Sequence, residues 1–583
     1  MSESYYLGID VGTGSARASL VSADGNVVAS STVETKTWRD PDDHRIFEQS
    51  TSNIWASISS AIKTCLSTSQ IAPAAVKGIG FDATCSLAVS DLDGAPLQVT
   101  KGADLGAPGE RNIILWADHR AEKEANLINN TGSVVLDYVG GTMSLEMEIP
   151  KILWLKHHMP PARFAQCQFF DLPDFLTYRA TGDGTRSCCS VTCKCSYVPN
   201  SGWQDDFFAQ IGLGDLVESG YRPIGAGRAA QGRVLTAGQP VGKGLSTKTA
   251  EEWGLVEGTP VGSGIIDAYA GWLGTVAARY TEEGTLSDVV PSLEESRHRL
   301  AAVAGTSTCH LVQSPKGVFV NGVWGPYKDP VFRGWWMNEG GQSSTGQLID
   351  FILTTHPAYP ELQERAKAQG KNIFVVLGDL LEKLRAEEGV ATLTELLKDV
   401  HMYPDFHGNR SPIADPRMRG ALTGLTLDST LPDLARKYHL ALESIALQTR
   451  HILDTLNAAG HAIRAVYMSG GQATNRVLMQ LFADACGVPV VLPFEHAGAV
   501  VRGAAVLGRF AAEAKAGQER GMGEKEQDEL LWRIMVEMTP PGTLVPPAAS
   551  PKEKKLLEAK YKIFRESIEI QKRWRQEMDE ASK

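Results

Sequence analysis

Short apolar bursts broken by small polar residues open the chain. Tyr5–Val11 is an apolar run that ends in Gly12-Thr13-Gly14-Ser15. A second run of strand character covers Ala16–Val21, and Ala23-Asp24-Gly25-Asn26 turns the chain into a third, Val27–Thr32. Runs of β-type residues divided by Gly- and Asp-rich turns predict a strand meander. Ile54, Ile58, Ile62 and Leu66 then recur at i, i+4 spacing, which predicts a helix over Ser50–Ser67. Val76–Phe81 reads as a buried strand ending in Asp82-Ala83-Thr84-Cys85-Ser86. A shorter apolar stretch, Ile113–Leu115, delivers Trp116-Ala117-Asp118-His119-Arg120. A helix with Pro150 near its first turn follows, then a helix over Phe169–Thr181, clearest from Asp174 to Ala180.

The same pattern returns about three hundred residues later, and a weak repeat at that distance predicts two similar domains, each presenting one loop. Leu300–Ala304 is apolar, Gly305-Thr306-Ser307-Thr308 forms the tip, and Cys309–Val312 follows. Gln313–Gly317 then turns the chain into Val318–Val320. Beyond it, Trp335–Glu339 leads into Gly340-Gly341-Gln342-Ser343-Ser344 and a helix ending near Thr355. Residues 366–398 read as a largely helical insertion and 407–420 as a loop. A long helix, Leu431–Ala459, carries the stripe Leu434, Tyr438, Leu442, Ile445, Ile452 and Leu456, and Gly460 ends it. Ala465–Met468 is a strand, Ser469–Asn475 opens another helix, Val488–Leu492 is a strand, and Ala497–Ala512 is a helix. From about Ala516 the character changes. Lys552–Lys583 is highly charged, with Leu557, Tyr561, Phe564 and Ile568 at helical spacing, which suits a docking helix or an interaction tail.

Composition narrows the class. A chain of 583 residues implies two to four domains, and 43% apolar with 21% charged residues is ordinary for a globular protein. A net charge of −11 argues against a nucleic-acid surface but not against a nucleotide, which needs only local donors. Nine cysteines without regular spacing point away from a disulfide scaffold and toward a reducing compartment. The first strand starts at about Tyr5, leaving no room for a leader, and no apolar run reaches the roughly 18 residues of a membrane span. A cytoplasmic protein is the expectation.

Several stretches carry chemistry, each with a plainer alternative. Gly12–Ser15 offers close backbone approach and two hydroxyls, which suits phosphate, but an ordinary hairpin turn has the same residues. It is not a dinucleotide fingerprint, because Arg17 stands where the third glycine belongs, and the chain contains no P-loop. The polar cluster after Phe81 is either a strand-end ligand site or a simple junction. Asp118-His119-Arg120 could bind a polyhydroxylated ligand or be a helix cap followed by surface charge. Cys188, Cys189, Cys193 and Cys195 lack the second spaced pair of a structural zinc site. Were this segment a strand, Cys193 and Cys195 would share one face and Lys194 would point to the other, as a solvated or a functional charge. Asp267, after Gly264-Ile265-Ile266, is a helix cap or a carboxylate able to accept a proton from a substrate hydroxyl. Gly470-Gly471 leaves room for a flat base or is a plain strand–helix turn.

Taken in order, Gly8-Ile9-Asp10-Val11-Gly12-Thr13-Gly14-Ser15, Gly-Ile-Ile-Asp267 and Ser469-Gly470-Gly471-Gln472-Ala473-Thr474-Asn475 resemble the FGGY carbohydrate kinases over roughly residues 4 to 512. Trp116–Arg120, Glu146-Met147 before Pro150-Lys151, Cys193-Lys194 and Asn338–Ser343 resemble the ribulokinase branch, and the insertion favours its D-ribulose subgroup. The resemblance implies an α/β fold of two actin-like ATPase (ribonuclease H-like) domains with a cleft between them. It divides the chain at 1–260 (sugar and γ-phosphate side), 261–515 (nucleotide side) and 516–583 (helical extension). It implies that Gly12, Thr13, Gly14, Ser15 and Arg17 meet the γ-phosphate and that Asp10 holds Mg²⁺. Gly305, Thr306, Ser307 and Thr308 would hold the nucleotide phosphates, and Gly471 and Asn475 would frame the adenosine. Ala83, Lys194 and Glu339 would bind the ketopentose, with Asp118 nearby, and Asp267 would be the catalytic base. ATP phosphorylation of D-ribulose is the implied reaction, with L-ribulose, ribitol or xylulose as other acceptors and a non-catalytic ATP-binding regulator as the reading of a different class. The expected partners are the sugar and ATP, with no nucleic acid and no membrane; a homodimer is left open.

Overall fold

The structure is a computed structural model that describes residues 3–225, 234–282, 284–495 and 498–583. In chain order, the elements used below begin with β1 (Tyr5–Val11), β2 (Ser15–Ser22), β3 (Val27–Glu34), α1 (Thr51–Ser69) and β4 (Val76–Ala83). Next come α2 (Glu148–His158), α3 (Leu172–Thr181), α4 (Cys188–Cys193), β5 (Ile265–Ile266) and α5 (Asp267–Leu273). Then follow β6 (Arg299–Ala304), β7 (Thr308–Ser314), β8 (Trp324–Lys328), β9 (Trp336–Gln342), α6 (Ile373–Glu387) and α7 (Leu431–Ala458). The last are β10 (Ala465–Ser469), α8 (Arg476–Cys486), β11 (Val490–Pro493), α9 (Ala499–Gln518) and α10 (Pro551–Ala581).

Two compact units result. The first comprises Met1–Arg297, Leu311–Glu339 and Pro493–Gly542, and the second His298–His310, Gly340–Leu492 and Thr543–Lys583. A five-stranded sheet of order β5-β4-β1-β2-β3 forms the centre of the first unit. The meander β1-β2-β3 is antiparallel, whereas β4 runs parallel to both β1 and β5. Leu7, Ile9 and Val11 alternate onto one face and pack with Ile54, Ile58 and Ile62 of α1. Gly8, Gly78 and Gly80 lie against α9. A Cβ on any of them would stand 2.1 Å or less from a carbonyl of Val501, Gly508 or Ala504, so glycine is what lets helix and sheet meet.

In the second unit β6, β10 and β11 are parallel neighbours. The stripe of α7 is buried, and α7 packs beside α8. The helix α10 docks through Leu557, Tyr561, Phe564 and Ile568, all buried. Lys560 at its centre meets Glu443 Oε1 of α7 at 2.6 Å and the carbonyls of Leu397 and Val400 at 2.7 and 3.0 Å. Among the described residues no helix is long and apolar enough to cross a membrane.

Some local expectations are corrected. Cys188–Cys193 is helical, not extended, because Ser187 caps it by accepting the Ser190 N–H, and Lys194 ends the helix instead of projecting from a strand. Phe169–Asp171 is a strand paired with Leu87–Val89. The helix starts only at Leu172, where Asp171 caps it and Pro173 fixes its first turn. Val318–Val320 forms no strand. The carbonyl of Val318 accepts from the Asn338 amide, and the next strand is β8. The helix expected from Ala497 begins at Ala499 and runs on to Gln518. Ala497 itself lies outside the described residues, as does the 226–233 part of the glycine-rich stretch between Pro199 and Glu257.

Candidate active site

Strand register assembles the first unit's polar centre. The Cα of Asp10 on β1 is the partner of Asp82 on β4, and Asp82 is the partner of Ile265 on β5, two residues before Asp267. Three carboxylates therefore gather where parallel strands end, the usual ligand position in such sheets. Burial raises all three, and repulsion by a neighbouring carboxylate adds to it at Asp82 and Asp267. Burial, then Asp10 and Asp267, hold the Asp82 carboxyl well above the usual carboxylate range. Burial raises Asp10 as well, opposed by the Arg17 guanidinium. The Asp267 carboxyl is pushed up to about 7 by burial first and then by Asp10, although the Ala268 N–H donates to its Oδ1 at 2.7 Å and opposes the rise. Asp82 was not among the residues expected here, and its signal was the strand end it occupies.

The loop Gly12–Ser15 sits at the tip of β1 and β2. Gln49 Nε2 donates to the Thr13 carbonyl at 2.8 Å, and the Thr35 N–H donates to the Gly14 carbonyl at 3.0 Å. A trans peptide then sends the Gly14 N–H away from Gln49. Neither Gly12 nor Gly14 has a positive φ, and a Cβ on Gly14 would meet nothing within 4 Å. Backbone conformation and packing therefore do not require these glycines, in contrast to Gly8, and their value is a bare surface toward a ligand. Trp116 Nε1 donates to Thr13 Oγ1 at 3.0 Å and steadies the tip from the side.

Lys194 and Glu339 are both buried and stand 3.5 Å apart. The ammonium also lies 4.3 Å from the centre of the Trp324 ring, and the Tyr269 hydroxyl donates to Glu339 Oε2 at 3.3 Å. Both charges act on Asp267. Ala83 ends β4 and is paired with Val11 and Ile266, fully buried. The structure thus gathers Asp10, Arg17, Ala83, Lys194, Asp267 and Glu339 in one unit. Asp118 is engaged inside the fold. Its Oδ2 accepts the Phe47 N–H at 2.7 Å, and Arg120 binds both oxygens while reaching Glu48 Oε1 at 2.9 Å. Sequence reasoning also missed Glu148, at the start of α2. Its N–H donates to the Lys194 carbonyl at 3.0 Å, both its carboxylate oxygens are buried without a hydrogen-bond partner, and burial pushes it up to about 7.

The second unit builds the other loop. The Gly305 N–H donates to the Ser307 carbonyl at 2.8 Å, and Thr308 and Thr345 share a hydroxyl–hydroxyl bond of 2.8 Å. Gln472 Nε2 ties this loop to the Gly-Gly turn, donating to the Gly305 carbonyl at 2.8 Å and to Thr345 Oγ1 at 2.6 Å. Gly470 has φ +88 and would clash with the Ala304 carbonyl if it bore a Cβ, so it is structural; Gly305 and Gly471 meet nothing within 4 Å. Asn475 caps α8, accepting the Leu478 N–H, and its Nδ2 donates to the Tyr438 hydroxyl at 2.8 Å. Neither Gln472 nor Thr345 was anticipated.

Among the described residues no group of three His, Cys, Asp or Glu is arranged to hold a metal by itself. Magnesium does not need one, since it usually takes one or two carboxylates and fills its shell with water and phosphate oxygen. Asp10 and Asp82, side by side and both raised by burial, fit that requirement.

Comparison with known proteins identifies the family. Residues 5–274 match the N-terminal domain, and residues 300–512 the C-terminal domain, of the FGGY family of carbohydrate kinases. A Saccharomyces cerevisiae protein named D-ribulokinase is 44% identical over 87% of this chain and 72% of its own length. A Homo sapiens FGGY carbohydrate kinase domain-containing protein is 40% identical over 98% of this chain and 97% of its own. The crystal structure of a xylulose kinase from Rhodospirillum rubrum shares the fold at a TM-score of 0.71 and 20% identity, covering 98% of this chain and 99% of that one. Two matched domains and relatives of this identity make the assignment plain: the chain belongs to the FGGY family of carbohydrate kinases and is an ATP-dependent sugar kinase.

Proposed function

We propose that this kinase phosphorylates a ketopentose, D-ribulose before others, at its terminal hydroxyl, giving D-ribulose 5-phosphate. The chemistry rests on the setting of Asp267, a carboxylate near neutrality that lies in the field of the buried Lys194–Glu339 pair. The choice of D-ribulose is supported by the name of the yeast relative. In this reading Asp267 orients the acceptor hydroxyl and takes its proton as the oxygen attacks the γ-phosphorus in line. Lys194 and Glu339 bind sugar hydroxyls from one side, and Ala83 contributes its backbone. Asp118 acts indirectly, holding the turn that carries Trp116 against Thr13. The Gly12–Ser15 loop, through amides beyond Gly12, whose own N–H donates to the Ser15 carbonyl at 3.0 Å, and the Arg17 guanidinium offset charge on the transferring phosphoryl group. Gly305–Thr308 serves the remaining phosphates, and Gly471 and Asn475 the adenosine. Mg²⁺, held through Asp10 with Asp82 beside it, would neutralise phosphate charge. A cytoplasmic location without nucleic-acid partners belongs to the same proposal.

ADP release measured over D-ribulose, L-ribulose, ribitol and xylulose tests the acceptor. A kcat/KM for D-ribulose at least about tenfold above the rest is expected, because buried polar groups placed for one arrangement of hydroxyls are left unpaired by another. Preference for L-ribulose would overturn the stereochemical assignment, and turnover of none of them the ketopentose assignment. The phosphate loop has its own test. Gly14→Val should leave unfolding free energy within about 0.5 kcal/mol, since the side chain enters open space, yet lower turnover by about 10²-fold by displacing the γ-phosphate. Equal activity would remove the loop from the site.

A further inference from the structure

The helical insertion has no role in the reading so far, yet it presents an aromatic side chain next to the proposed adenosine position. Asn372 caps α6, accepting the Phe374 N–H at 2.9 Å, which holds the first helical turn in place. Val376, Leu377, Leu380, Leu381 and Leu384 are the buried face of α6, so the helix is well anchored. Phe374 and Val375 at its start remain 42% and 49% exposed. The Phe374 ring lies 5.8 Å from the Tyr438 ring at an interplanar angle of 31°. Tyr438 is itself buried, and its hydroxyl accepts from Asn475 Nδ2. Asn475 ends the short turn that begins at Gly471, a glycine with nothing within 4 Å of a Cβ and without a positive φ. Phe374, Tyr438, Asn475 and Gly471 thus form one contiguous series, with an exposed ring at one end and bare backbone at the other.

Resting on the assignment of Gly471 and Asn475 to the adenosine, we propose that Phe374 is a base-stacking residue, supplied by the insertion, that covers the adenine ring. The chemistry is direct. An exposed apolar ring linked through Tyr438 and Asn475 to the open backbone at Gly471 is a site for a flat heteroaromatic base, which stacks with little loss of conformational freedom. Tyr438 does not compete, because its ring is buried and its hydroxyl is committed to Asn475. It sets the height at which Phe374 stands. The insertion therefore completes the base-binding side of the second unit.

Calorimetric titration of ADP and GDP into the full-length protein tests this. Phe374→Ala should weaken ADP binding by about tenfold, in the range of base–aromatic stacking measured by alanine substitution. GDP affinity should fall by a similar factor, because stacking reads the flat face common to both bases, while sugar KM and the thermal midpoint stay unchanged because Phe374 is 42% exposed and lies outside the buried face of α6. Phe374→Trp should retain ADP affinity. Gly471→Val separates the two layers of the argument. If it abolishes ADP binding while Phe374→Ala changes nothing, the adenosine assignment stands and the role of Phe374 is refuted. Unaltered ADP binding in both variants would refute the adenosine assignment as well. A fall in thermal midpoint for Phe374→Ala that matches the loss of affinity would show a structural role and would also overturn the proposal.

Discussion

Asp267→Asn is expected to lower kcat by roughly 10²- to 10⁴-fold, the usual contribution of a positioned general base, with ADP affinity close to that of the native protein. The amide keeps the shape of the side chain and its oxygen still accepts the Ala268 N–H, so what is lost is proton affinity. The pH profile adds a second readout. With Asp267 pushed up to about 7, kcat/KM of the native enzyme should fall as pH drops through neutrality and the base becomes protonated. That acid limb should be missing from the residual activity of the variant. Stability should move the other way. A carboxyl raised in the folded state holds its proton more tightly there than in the unfolded chain. The native state is therefore penalised progressively as pH rises from about 4 to about 7, and fully above that. Asn removes the penalty, so the variant should match the native protein in acid and exceed it at pH 8. Near-native turnover in Asp267→Asn would remove it as the base, whatever the stability result.

Lys194→Met is the second large change. It removes one partner of a buried pair and leaves the Glu339 carboxylate enclosed, with the Tyr269 hydroxyl donating to its Oε2. Breaking a buried pair in this way costs about 3–5 kcal/mol, whereas replacing both partners by neutral groups is often close to neutral. Denaturant unfolding should therefore show a large loss for Lys194→Met and recovery in Lys194→Met/Glu339→Gln. Sugar turnover should not recover, because the groups proposed to bind the hydroxyls are gone. A double variant both stable and active would show that the pair is structural only. A single variant as stable as the native protein would show that its charges are not in fact isolated from water.

The legible part of the fold was periodic. The apolar run Tyr5–Val11, bounded by turn residues, and the i, i+4 spacing of Ile54, Ile58 and Ile62 forecast β1 and α1, because such residues must be buried. The stripe on Leu431–Ala459 forecast α7 for the same reason, and the loop tips at Gly12–Ser15 and Gly305–Thr308 were visible as breaks in strand pattern. Short elements were not legible in this way. Cys188–Cys193 carries no period, and only the Ser187 cap makes it a helix. Val318–Val320 has strand residues but no neighbouring strand to bond, and β-propensity without a partner decides little.

The division at the site follows the same physics. Sequence by itself determined which residue types stand at strand ends and turns: Asp10, Asp82 and Asp267, the bare glycines, and the single Lys194 among small residues. These are local properties, set by the chain's own pattern. Only the tertiary structure decided which of them share a field. The register Asp10–Asp82–Ile265 brings three carboxylates together across strands far apart in the chain, and burial there, with Asp10 adding to it, raises Asp267 toward neutrality. The same is true of Lys194 with Glu339, and of Asp118, whose carboxylate was claimed by Arg120 and the Phe47 amide. Charge interactions depend on separation in space and on burial, and neither is encoded in spacing along the chain.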